Sequence, residues 1–212
     1  MYLKLLKIKI NTMLKTPATI YRQPEIKYTT PLYEKYTASH ITKTVFTNIT
    51  MITRRTTYAT LNHKKGRAEP ISNRTEEILA IKLFNKHPRI IDYQIPLSDK
   101  KKDRAGKIDF LYVDKEKHTL VLCELKASNS KESPLKAIYE IYTYYNIVDR
   151  TKLLADYNTK YNLELNSIEC AVIAAAASKF YSRCQSTHIK KVMADFSIRL
   201  GIVDPNKLTI TI

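Results

Sequence analysis

Glycine is scarce: Gly66, Gly106 and Gly201 are the three in 212 residues. A P-loop and a G-x-G-x-x-G dinucleotide site both need glycines clustered at one turn, so both are excluded. Cysteine is as rare. Cys123, Cys170 and Cys184 cannot build a disulfide framework. Cys123 and Cys170 lie in apolar runs and read as buried thiols of an intracellular, cytoplasmic protein. Long apolar runs are missing too. The longest, near Ile168–Ala177 and Leu120–Leu125, fall far short of the ~20 residues a spanning helix needs. The first ten residues are apolar but broken by Lys4, Lys7 and Lys9, which suits a basic amphipathic strand or short helix better than a signal peptide. No membrane partner is expected.

Acidic residues are outnumbered. Thirty-six Lys and Arg against 20 Asp and Glu give a net charge of +16. Such a balance points to polyanions, nucleic acid before an anionic surface. The excess is uneven: residues 1–70 hold 13 basic and 3 acidic side chains, a net +10, which leaves +6 for residues 71–212. Hydrophobic residues make up 44%, enough for a packed core.

The chain divides near residue 70. Residues 1–70 are rich in Thr and Tyr and punctuated by Pro17, Pro24 and Pro31, which predicts a basic, β-rich N-terminal extension of short or edge strands. Residues 71–212 are patterned as one α/β domain. Asn73 and Glu76 have capping-box spacing ahead of a helix to about Lys86, which Pro88 ends. Strands follow at about Arg89–Leu97, Lys107–Asp114 and His118–Ala127. Ser133-Pro134 opens a helix through about Ile147. A helix at Thr151–Asn162, a buried strand at Ile168–Ala176, a helix over 186–200 stopped by Gly201 and a strand at Lys207–Ile212 complete a mixed sheet flanked by helices.

Chemistry concentrates in one hairpin. With Glu116-Lys117 as the two turn residues, Asp109 falls opposite Glu124, and side-chain alternation puts Lys126 on the face of Glu124. Directly opposed Cβ atoms lie roughly 4.5–5.5 Å apart. Two carboxylates at that distance in apolar strands need a compensator, and hard oxygen ligands suit magnesium or manganese. A one-residue slip would move one carboxylate to the other face. Acid-x-Lys also occurs at Glu25–Lys27 and Asp99–Lys101, but in polar segments; only Glu124-Leu-Lys126 closes a run as apolar as Thr-Leu-Val-Leu-Cys. The bland alternative is a structural salt bridge at a strand end.

With these residues the sequence resembles the PD-(D/E)XK nucleases, the restriction-endonuclease-like superfamily. The resemblance runs from about Asn73 to Ala176: an acid on the leading helix (Glu76 or Glu77), Ile-Asp109 on one strand, Glu124-Leu-Lys126 on the next, then a helix. Ile108 stands where the family's named proline falls. Glu140 stands where many members place glutamine. The resemblance implies a restriction-endonuclease-like core and Mg²⁺-dependent phosphodiester hydrolysis, most plausibly of DNA. Asp109, Glu124, the Leu125 carbonyl and Glu76 would hold the ion. Lys126 would orient or help deprotonate water and offset charge in the transition state.

Outside the hairpin, Lys100, Lys101, Lys102 and Arg104 form a solvated loop or a phosphate clamp beside the site. Tyr139, Tyr142, Tyr144 and Tyr145 have the helical spacing of core and rim residues. The five histidines show no zinc spacing and are expected mostly at the surface. Two rival readings remain: a non-catalytic nucleic-acid-binding protein on the same fold, and a structural or membrane-surface protein acting through its basic arm. A homodimer is compatible with either nucleic-acid reading.

Overall fold

A computed structural model of the chain describes residues 42–47, 49–60, 63–66, 72–100 and 105–212. Among the described residues the five α-helices and six strands run in the order α1 (Thr75–Lys86), β1 (Ile90–Pro96), β2 (Lys107–Asp114), β3 (Thr119–Lys126), α2 (Pro134–Ile147), α3 (Arg150–Tyr161), β4 (Ser167–Ala175), α4 (Lys179–Cys184), α5 (Thr187–Asp195), β5 (Ile198–Asp204) and β6 (Thr209–Thr211). The strands form one mixed sheet in sequence order. The β1–β2, β2–β3 and β5–β6 pairs are antiparallel; β3–β4 and β4–β5 are parallel.

Local sequence accounts for most boundaries. Ser133 Oγ accepts the Leu135 N–H and Pro134 occupies the first helical turn, so α2 starts where expected. Asp149 caps α3 by accepting the Lys152 N–H, and Asn162 ends it in the left-handed conformation at φ 50°. Such a cap is worth about 1 kcal/mol. Each face of the sheet has its own core. Leu120 and Leu122 of β3 pack with Ile138 and Ile141 of α2, while Val121, Cys123 and Leu125 pack with Leu83 and Phe84 of α1. Covered on both faces and paired on both edges, β3 is buried at all eight positions.

Three expectations need correction. Asn73 does not cap α1: the helix begins at Thr75, and its N-cap Arg74 makes no side-chain cap bond. Ser72 takes over locally, accepting the Arg74 N–H at 3.1 Å. Gly201 does not stop a helix. The 186–200 region is the short α5 followed by β5, with the chain reversing at Ser197, φ 57°. Gly201 sits inside β5 because a Cβ there would lie 2.5 Å from Ile173 Cδ1 and 2.9 Å from the Thr211 carbonyl oxygen. The described part of the N-terminal extension is not strand. It holds a 3-10 turn at Lys43–Phe46 and one bridge between Ile52 and Val148. Phe46, Tyr58 and Ala59 of this segment are buried in the α2-side core. The rest of the expected extension, residues 1–41 above all, lies outside the described residues. Among the described residues no helix is long and apolar enough to cross a membrane.

Candidate active site

The β2–β3 register decides which charges meet. Phe110 pairs with Cys123 and Leu111 with Leu122, so the next step brings Asp109 opposite Glu124. The turn between the strands is closed by the His118 N–H on the Lys115 carbonyl at 3.4 Å. Glu124 and Lys126 continue the row of Leu120 and Leu122, the face that α2 covers. Asp109, Glu124, Lys126 and Glu140 of α2 line one cleft of about 620 Å³, joined by Glu76 from the first turn of α1 and by Glu132 from the loop before α2. Glu77 lines a neighbouring cleft instead, where Ser72 Oγ donates to its Oε2 at 2.9 Å.

The carboxylates are held by specific donors. Leu125 N–H donates to Asp109 Oδ2 at 2.8 Å, and the Gln94 amide donates to Oδ1 at 3.0 Å. Gln94 has φ 48°, in β1 just beyond the irregularity that shifts the β1–β2 register between Ile90 and Asp92. Left-handed backbone at a non-glycine residue in a strand is costly, and such strain gathers at functional sites. Gly106, at φ 97° ahead of β2, admits Tyr144: a Cβ there would meet the Tyr144 hydroxyl at 2.6 Å. That hydroxyl donates to Glu140 Oε1 at 2.7 Å. Lys126 Nζ lies 2.8 Å from Glu124 Oε1 and 2.7 Å from Glu132 Oε2. Glu132 also pairs with Lys136.

Burial sets the electrostatics. It pushes Asp109 up to about 6, against Lys126 and the Leu125 N–H, which pull down. Burial and then the charge of Asp109 hold Glu124 well above the usual carboxylate range. Burial alone would lower Lys126, but Glu124, Glu132, Glu140 and Asp109 outweigh it and hold its ammonium well above an ordinary lysine. The surrounding carboxylates thus favour the cationic form of Lys126. Burial raises Glu132, yet Lys126 and Lys136 bring it below its ordinary value.

Among the described residues no three His, Cys, Asp or Glu side chains are grouped so as to hold a metal ion. The chemistry of the Asp109–Glu124 pair nevertheless fits one. Both are oxygen donors, burial resists the ionisation of each, and the charge of Asp109 adds to it at Glu124, so a hard divalent cation would relieve burial and repulsion together. Leu125, expected to lend its carbonyl, contributes its N–H to Asp109, and its side chain packs in the α1-side core. Of the basic loop, Lys100 is exposed and lines the neighbouring cleft; Lys101, Lys102 and Arg104 lie outside the described residues.

Sequence reasoning missed Gln94, Glu132 and the pair His63–Asp92, in which His63 Nδ1 lies 2.6 Å from Asp92 Oδ1. Glu132 had a usable signal: it lies six residues beyond Lys126, in the loop that opens α2. Gln94 and His63–Asp92 had none, since no local spacing marks residues joined by the fold. No protein-family model, curated protein or solved structure matches the chain.

Proposed function

We propose that the chain is a metal-dependent nuclease with a restriction-endonuclease-like core, hydrolysing phosphodiester bonds, with DNA the favoured substrate and Mg²⁺ (or Mn²⁺) the favoured ion. One observation carries the reading. The register places Asp109 opposite Glu124, and Lys126 and Glu76 border the same cleft. A purely structural ion pair would not need a second buried carboxylate facing the first. The net charge of +16 supports a polyanionic substrate.

Asp109 and Glu124 would hold the ion, with the Leu125 carbonyl as a further ligand; Glu76 borders the cleft but is not grouped with them as a third carboxylate. When bound, it supplies Lewis acidity to the phosphate and acidifies the attacking water. The side chains do the rest. Leu125 N–H and Gln94 fix Asp109 so that its carboxylate needs no reorganisation during the reaction. The Lys126 ammonium donates to the attacking water or to a non-bridging phosphate oxygen and offsets the charge that builds there. Glu132 would keep Lys126 paired with Glu124 engaged by a cation. Water adds to phosphorus and releases one proton to solvent as the bond to the leaving oxygen breaks; that oxygen takes up a proton, and the products are a phosphomonoester and a free hydroxyl.

Plasmid DNA and RNA are incubated with the protein in Mg²⁺ and in EDTA. Cleavage is expected only with the metal. Asp109→Ala and Glu124→Ala should abolish it while keeping salt-dependent binding, because phosphate contacts supply most non-specific affinity. Binding without cleavage in every metal condition would favour the non-catalytic reading instead.

A further inference from the structure

A second cleft, of about 1050 Å³, adjoins the carboxylate cleft and shares Gln94, Gly106 and Lys107 with it. His63 lines its wall. The residue behind His63 is unusual: Asp92 is fully buried and accepts four hydrogen bonds. His63 Nδ1 at 2.6 Å and the Tyr93 N–H at 2.8 Å meet Oδ1. The Thr60 N–H at 2.9 Å and the Tyr157 hydroxyl at 2.7 Å meet Oδ2. Both carboxylate oxygens are thus saturated. With the Tyr93 N–H on Oδ1 and two donors on Oδ2, Asp92 acts as an acceptor throughout, so Nδ1 of His63 is the donor of that pair. The nitrogen left for a ligand is Nε2.

The ring is locked as well as its tautomer. It stacks on Tyr93 with centroids 3.8 Å apart and planes 10° apart. Its side chain stays 19% exposed. A carboxylate that fixes Nδ1–H is how proteins aim the far imidazole nitrogen at a ligand. With its Nδ1–H on Asp92, the ring donates to an anion through Nε2 only once that nitrogen also carries a hydrogen. The surroundings suit an anion. Thr57, Thr60 and Ser98 line this cleft beside Lys100 and Lys107, while the Thr56 hydroxyl donates to Asp99. The charged groups facing His63 are Asp92 of β1, Glu77 of α1, Lys107 of β2, and Arg54, Asp99 and Lys100 around the cleft. Arg54 and Asp99 pair with each other at 3.0 Å. From the side, Lys65 is held on the Phe84, His87 and Ile90 carbonyls, and Lys160 of α3 on the Thr60 carbonyl.

We propose that His63, held by Asp92, binds a phosphate of the substrate strand as it runs on from the carboxylate cleft, and takes up one proton from solvent in doing so. This subsite rests on the nuclease reading for the identity of its ligand, but not on turnover. A strand crossing both clefts would place one phosphate at Asp109 and Glu124 and a second at His63.

The test is binding of a fluorescent single-stranded oligonucleotide of about 12 nucleotides to the full chain in EDTA, near pH 6 and near pH 8, over a range of salt. Wild type should bind more tightly near pH 6. His63→Gln should lose most of that gain, and near pH 6 its slope of log affinity on log salt should fall by about 0.7, one phosphate contact to a single strand. Near pH 8 its slope should match wild type. Burial raises Asp109 to about 6, so the comparison is repeated in the Asp109→Ala background: His63→Gln should still remove the pH 6 gain there, and because no cleavage is needed, failure of the nuclease reading and failure of this subsite are read separately. If His63→Gln does not fold, calorimetry of wild type with the same oligonucleotide in two buffers of different ionisation enthalpy measures proton uptake directly. Wild-type pH and salt dependence in folded His63→Gln, or no proton uptake by wild type, overturns the proposal.

Discussion

Replacing Asp109 by asparagine should make the metal-free protein more stable. Asp109 is raised from 3.8 to about 6, with burial the largest cause. An acid whose folded pKa is raised holds its proton more tightly when folded. Below about pH 3.8 both states are protonated and the group costs nothing. Between there and about pH 6 the unfolded chain ionises first, and stability is lost progressively. Above that window the full cost is present. About two pKa units correspond to about 3 kcal/mol at neutral pH. Asparagine keeps the geometry: its carbonyl oxygen can accept the Leu125 N–H, and the Gln94 amide can turn its own oxygen toward the new NH₂ group.

The gain should appear as a melting temperature higher by roughly 6–12 °C, taking about 2–4 °C per kcal/mol for a chain of this size. Thermal melts in EDTA across the pH range above are the assay. The difference between the two proteins should close toward the acid end and plateau toward neutrality. Mg²⁺ should then stabilise wild type more than the variant, since a ligand bound only by the native state adds RT ln(1 + [L]/Kd). An asparagine variant that melts at or below wild type near pH 7, or an advantage that does not change with pH, would refute the destabilising burial of the Asp109 carboxylate.

Other outcomes follow from the same geometry. Lys126→Met leaves Glu124 and Glu132 without their shared cation and should destabilise the protein by about 3 kcal/mol at neutral pH, as breaking buried pairs does. Because protonation of the freed carboxylates relieves that loss, urea melts should show the gap narrowing as pH falls; a gap that widens would contradict it. Deleting residues 1–41 removes seven basic and two acidic side chains and should flatten the salt dependence of nucleic-acid binding. Deleting residues 1–70 should in addition lower the melting temperature, because Phe46, Tyr58 and Ala59 leave the α2-side core with it. Equal melting temperatures for the two truncations would show that this packing contributes nothing.

What could be read from the chain alone is what local rules govern. Lys107–Asp114 as a strand, Ser133-Pro134 as the opening of α2 and the end of α1 before Pro88 all depend on neighbours within a turn or two. The meeting of Asp109 with Glu124 was legible for the same reason: a short turn and a side-chain period of two tie the two residues together. Where local cues compete, they mislead. Asn73 has capping-box spacing, but Ser72 and Arg74 define the start of α1. Gly201 looks like a helix stop, and is a glycine because Ile173 and the Thr211 carbonyl leave no room for a Cβ. The choice between Glu76 and Glu77 depended on how α1 sits over the end of the sheet. The partnership of Glu132 with Lys126 depended on the path of a loop. Above all, His63 meets Asp92 across 29 residues, on a contact completed by Tyr157 of α3. Such encounters have no sequence period. They form only when burial of the two cores has already paid the entropy of bringing distant segments together, so they belong to the tertiary structure.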